Sequence, residues 1–226
     1  MLVELSYPIS PETTVLDPGI QVPRVVPRSR LDEGKRSNTS YIELWANAGT
    51  HIDVPWHFNP QGWQILDFAI DDFVFRRVLL VDIPKEAWQP VTREEVAGYK
   101  DELVGCDALL IRSGFSRYRS TDLELYVRAT PGVSVEAAQF LASLSGLRCI
   151  GVDFISIENV EKGRETGFPT HHALLDRPEP MLLLEDANLV ILGDNKVSRL
   201  LLFPLRMSGL EASPVTAVAE VQSVSL

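Results

Sequence analysis

Apolar positions along this chain fall mainly in short runs, alternating or continuous, bounded by Gly, Pro, Asp or Asn, which is the pattern of strands. The runs Leu2–Tyr7, Tyr41–Asp53, Val78–Ile83, Ala108–Arg112, Arg148–Val152, Leu189–Leu192 and Leu200–Leu205 predict strands. Thr92–Tyr99 and Ser134–Ser143 predict helices, because Thr92 and Ser134 each precede acids suited to a first helical turn. Helix and strand alternate in the middle third, so the expected class is an α/β domain with a mixed sheet. At ~150 residues per domain, one domain over residues 1–226 is expected.

Leu16–Ser37 fits neither period. It holds three prolines and two glycines, and from Arg24 to Arg36 it carries five bases against two acids. A structureless segment of this length in a compact domain is expected to be a solvated surface arm, the alternative being an arm over the active site or against a partner subunit.

Composition narrows the function. The chain has 226 residues, 45% hydrophobic and 23% charged, which excludes disordered and low-complexity classes. A net charge of −10, from 31 acids and 21 bases, opposes nucleic-acid binding, although a small anionic substrate is still possible. Cys106 and Cys149 lie in apolar runs and read as inert. The N-terminal stretch lacks a basic lead, and no run approaches the ~20 apolar residues of a membrane span. The expectation is a cytoplasmic protein with no membrane or nucleic-acid partner.

The four histidines fall in two clusters, Asn47-Ala48-Gly49-Thr50-His51-Ile52-Asp53-Val54-Pro55-Trp56-His57 and Thr170-His171-His172. On an extended strand, Asn47, Gly49, His51 and Asp53 would share one face. His51 and Asp53 would lie ~6.6 Å apart at Cα, within reach of one cation. Pro55 should end the strand and leave His57 on the turn beyond. Around the second cluster, one apolar run ends in Asp153 and another, Leu182–Leu184, ends in Glu185 and Asp186. Each piece has a plain structural alternative: a surface His–Asp pair, histidines at a helix start, a solvated acidic turn. Together they use every histidine, and nitrogen with carboxylate donors suits a divalent metal. There is no nucleophile elbow, phosphate loop, dinucleotide fingerprint or H-E-x-x-H. Metal-activated water has the most parts in place.

Gly49-Thr50-His51-x-Asp53-x-Pro55-x-His57 resembles the signature H-x-G-T-H-x-D-x-P-x-H of the cyclase-like metal-dependent hydrolases, bacterial kynurenine formamidase and isatin hydrolase among them. The likeness extends in chain order through Leu5–Pro11, Ala108–Phe115, Pro131–Ala138 and Gly151–Val152–Asp153 with Ser156, from about residue 2 to 205. It implies a swivelling β/β/α domain, a homo-oligomer, and one or two Zn or Mn ions acting on a small-molecule amide, as in an arylformamidase. It also implies His51, Asp53, His171 and Glu185 as metal ligands and His57 as acid/base. His172 stays open as the alternative to His171.

Three positions depart from that pattern: Asn47 stands for the first histidine, the His171–Glu185 spacing is longer than usual, and Leu16 stands for a substrate-contacting tryptophan. Asn47 is therefore expected to leave one metal position weak, and the position near His171 and Glu185 to fill first. Backbone or side-chain donors around Ser113–Gly114 are candidates to hold the oxyanion. A non-catalytic binding module and a lyase or dehydratase are the alternative functions.

Overall fold

The computed structural model describes residues 1–11 and 21–222. Its frame is a nine-stranded mixed sheet. The strands are β1 (Leu2–Glu4), β4 (His51–Asp53), β5 (Val74–Phe75), β6 (Val78–Asp82), β7 (Ala108–Arg112), β8 (Cys149–Val152), β9 (Leu182–Glu185), β10 (Lys196–Pro204) and β11 (Ala212–Gln222). A separate hairpin is formed by β2 (Arg24–Ser29) and β3 (Thr39–Glu43). The main order is β5-β10-β11-β4-β9-β8-β7-β6, with β1 also on β11. The sheet curls until β10 approaches β6, giving the mixed α/β class expected.

Alternation divides the residues of β7, β8 and β9 between two cores. Leu109, Ile111, Ile150, Val152 and Leu183 pack beneath α1 (Arg93–Ala97), α4 (Val135–Ala142) and α6 (Pro169–Leu175). Ala108, Leu110, Cys149, Leu182 and Leu184 face the inside of the curl, where they meet Ile52, Leu200, Leu202, Ala217 and Ala219. Gly151 makes this second layer possible, since a Cβ there would lie 2.5 Å from Leu110 Cδ2. Thr92 and Ser134 cap α1 and α4 through the backbone N–H groups of Glu95 and Ala137.

Four expectations are corrected. Tyr41–Asp53 is not one strand: β3 ends at Glu43 and a turn precedes β4. Gly49 takes φ +65° in that turn, which a continuous strand forbids. Leu189–Leu192 is a 3-10 turn, not a strand. The Leu16–Ser37 segment is not structureless, because β2 pairs with β3 from Arg24↔Glu43 to Ser29↔Thr39; Leu16 lies outside the described residues. The strand expected at Leu200–Leu205 begins at Lys196 and pairs along β11, which the hydrophobic pattern did not predict. Among the described residues no helix is long and apolar enough to cross a membrane.

Candidate metal centre

The sheet changes from antiparallel to parallel pairing at β9, which runs antiparallel to β4 and parallel to β8. That seam carries the chemistry. His51 and Asp53 lie two apart on β4 with both side chains buried, and Glu185 ends β9 directly opposite His51. His51 Nε2 lies 3.5 Å from Asp53 Oδ1 and 3.4 Å from Glu185 Oε2. Ligand atoms of these three residues all fall within 4.8 Å of one another. The left-handed turn at Gly49 aims its carbonyl back at His51 Nδ1, 2.8 Å away, so that nitrogen donates and Nε2 faces the carboxylates.

Two of the four buried side-chain atoms without a hydrogen-bond partner, among the described residues, are His51 Nε2 and Asp53 Oδ1. Buried polar atoms are almost always satisfied. Two such atoms facing one carboxylate fit a cation, with one nitrogen and two oxygen donors suited to a divalent ion. Burial alone would lower the His51 pKa, but Asp53 and Glu185 outweigh it and hold the ring's pKa well above the ordinary value. Burial likewise disfavours the charged form of Glu185, and His171 and His51 reverse that and keep its carboxyl well below the usual range.

His171 comes from the first half of α6, which Pro169 starts. Its Nε2 lies 3.7 Å from Glu185 Oε1, and its Nδ1 hydrogen-bonds Glu158 Oε2 at 2.9 Å. Burial opposes its charge, yet Glu158 and Glu185 raise its pKa to about 9. His172, next in sequence, points away and bonds Asp176 at 2.8 Å. His57 ends the 3-10 turn Pro55–His57, with Nε2 4.0 Å from Asp53 Oδ2. Gly62 packs behind that turn, where a Cβ would lie 2.5 Å from the Pro55 carbonyl carbon.

Asn47, Asp53, His57, His171 and Glu185 line one cleft of about 230 Å³, whose other walls include Phe58, Ser156, Arg164 and Phe168. Asn47 reaches it from the turn before β4, not from the strand face expected. All six candidate residues thus meet at one seam, but the compact trio is His51, Asp53 and Glu185. Among the described residues no close-set group joins His171 to Asp53. Ser113 and Gly114 are also misjudged: both N–H groups donate to buried Asp153 at 2.8 Å and have nothing left for an oxyanion.

The sequence reading missed Phe58, stacked on His171 at 4.4 Å, and the orienting role of Glu158. A carboxylate thirteen positions from its histidine leaves no local signal.

Curled mixed sheet, helices on one face and a buried His–Asp–Glu cluster at a cleft define the class: an α/β protein whose cleft gathers the donor types of a metal site. A profile of the Cyclase family matches residues 3–159, and the chain belongs to that family. It is 31% identical to a kynurenine formamidase of Salinibacter ruber, over 96% of each chain. A kynurenine formamidase of Bacillus cereus is 26% identical over 83% of this chain and 82% of its own. In structure the chain is similar to isatin hydrolase A from Labrenzia aggregata, with TM-score 0.80 and 23% identity over 97% and 93% of the two chains.

Proposed function

We propose that this chain is a hydrolase of a small amide, cyclic amides included, that works with a divalent metal, zinc or manganese. The observation that carries the reading is the pair of buried, unpartnered atoms His51 Nε2 and Asp53 Oδ1 opposite Glu185. The kynurenine formamidase names of the relatives support cleavage of a carbon–nitrogen bond.

His51, Asp53 and Glu185 would hold the ion, with His171 at the far oxygen of Glu185. When bound, the ion supplies a Lewis acid that polarises the carbonyl and makes water acidic enough to attack near neutral pH. Each remaining role falls to the chain. His57, at the cleft edge beside Asp53, takes a proton from the attacking water and returns it to the departing nitrogen. Asp53 Oδ2, 4.0 Å away, steadies the imidazolium formed in between. Phe58 and Phe168 give the substrate an apolar wall. Water adds across the C–N bond, leaving an acid and an amine.

The test is a panel of aryl formamides, isatin-like lactams and lactones assayed with Zn²⁺ or Mn²⁺ in ¹⁸O-labelled water. Hydrolysis predicts one solvent oxygen in the product acid. Product without the label favours a lyase, and metal binding without turnover favours a binding module.

We also propose a homo-oligomer. Val25 and Ile42 pair across the hairpin at 67% and 68% exposure, and an isolated two-stranded ribbon is marginal in water. The basic arm complements the acidic body of a second copy. Sedimentation of Ile42→Asp should show dissociation relative to the unmodified protein.

A further inference from the structure

Asp186, immediately after Glu185, is one of three non-glycine residues with positive φ among those described, at +52°. Such a backbone is strained outside glycine, and it persists where surroundings over-determine it. The Asp186 side chain is buried, and its carboxylate accepts from Arg119 Nε at 2.7 Å, from Arg119 Nη2 at 2.8 Å and from the Tyr126 hydroxyl at 2.7 Å. Its N–H donates to the Phe154 carbonyl at 2.9 Å. Its carbonyl accepts the Thr50 hydroxyl at 2.6 Å, and Thr50 Oγ1 also accepts the Tyr7 N–H at 3.0 Å. Arg119 lies 3.9 Å above the Tyr7 ring.

The placement is specific. Thr50 precedes His51 and Asp186 follows Glu185, so one hydrogen bond joins the neighbours of two residues that face each other across β4 and β9. We infer that Asp186, anchored by Arg119 and Tyr126, is a positioning residue that aims Glu185 at His51 and so sets the cation affinity of the cluster. Without those anchors only the backbone bonds to Phe154 and Thr50 hold the left-handed turn, and the Glu185 carboxylate would be aimed less firmly. This rests on the reading of the cluster as a metal site.

The experiment measures Mn²⁺ affinity of Asp186→Asn, Arg119→Met, their double variant and Tyr126→Phe by competition with a chelator, with metal-free thermal unfolding alongside. Asn tolerates the left-handed region, so Asp186→Asn keeps the backbone option and loses the bidentate pair. Outer-shell partners of ligands typically govern affinity by ~10–100-fold. Both single variants should therefore lose roughly tenfold or more, and the double variant no more than the worse single one. Tyr126→Phe removes one hydrogen bond without a cavity and should lose several-fold, so it decides the matter if the charge variants fail to fold. Wild-type Mn²⁺ affinity in folded variants, with only metal-free stability lowered, would overturn the positioning role and leave the metal site standing. No Mn²⁺ uptake by the unmodified protein overturns both.

Discussion

His51 and Glu185 stand directly opposite one another across β4 and β9, with Nε2 3.4 Å from Oε2 and neither side chain open to solvent. A histidine and a glutamate placed this close in a dry interior need a shared charge partner or a proton between them. A cation would satisfy both and would also take up the Asp53 oxygen left without a partner.

Metal content should follow the trio. His51→Ala and Asp53→Ala are expected to leave the protein nearly metal-free after dialysis, and chelation of the unmodified protein should abolish amide hydrolysis. Elemental analysis beside an activity assay checks this; full activity in metal-free protein would sink the proposed chemistry.

His57→Ala should behave differently. It is expected to keep its metal and lose ~10²–10⁴-fold in turnover, the usual range for a positioned acid/base. If metal is lost instead, with the rate per ion unchanged, His57 is a ligand.

Gly62→Ala tests the same histidine from behind. A Cβ at Gly62 would meet Pro55 and Trp56 backbone atoms at 2.5 and 2.7 Å, so the turn bearing His57 must shift. Turnover should fall by an order of magnitude or more, since small misplacements of a catalytic group are costly, while metal content stays at the wild-type level. Unchanged kcat would mean the turn is not a positioning device.

Asn47→His should raise metal stoichiometry. Asn47 lines the cleft with Asp53 and offers only an amide oxygen, a poorer zinc donor than imidazole. One tightly held ion per chain is expected in the unmodified protein and a tighter second ion in the variant. Two tight ions before substitution would show that Asn47 is not limiting.

Away from the site, Asp82 binds Arg112 through two hydrogen bonds of 2.6 and 2.8 Å, and the guanidinium lowers its pKa. A carboxyl depressed in the folded state contributes stability above its unfolded pKa of ~3.9 and loses it as pH falls through the folded value. Asp82 is largely exposed, so the contribution is small. Asp82→Asn should melt slightly below wild type at pH 7, and the two melting temperatures should converge as acidification protonates the depressed carboxyl. A constant difference across that range would remove Asp82 from the acid response.

Much of this was legible because strong local signals agree with the tertiary structure. Ala108–Arg112 is a strand with the predicted ends, and Thr92 and Ser134 cap the helices they were expected to begin. Pro55 ends the ligand strand as its missing N–H requires. β11 has little signal because its inward residues, Val215, Ala217, Ala219 and Val221, include too little bulk, and Val218 among the outward Thr216 and Glu220 blurs the alternation. Alternation carried straight through Gly49 places Asn47 on the strand, whereas Gly49 turns the chain there. The use of Ser113 and Gly114 by Asp153 is a pairing between strand ends forty residues apart, with no trace in either local pattern.

The seam between β4 and β9 also has a kinetic meaning. Residues 51 and 185 lie 134 positions apart in the chain and meet only through the pairing of β4 with β9. Such distant pairings form slowly, because chain closure must precede the contacts that reward it. Cation uptake during refolding would therefore lag behind formation of the helices and of local hairpins. A metal-sensitive dye would record the closure of this one long-range pairing.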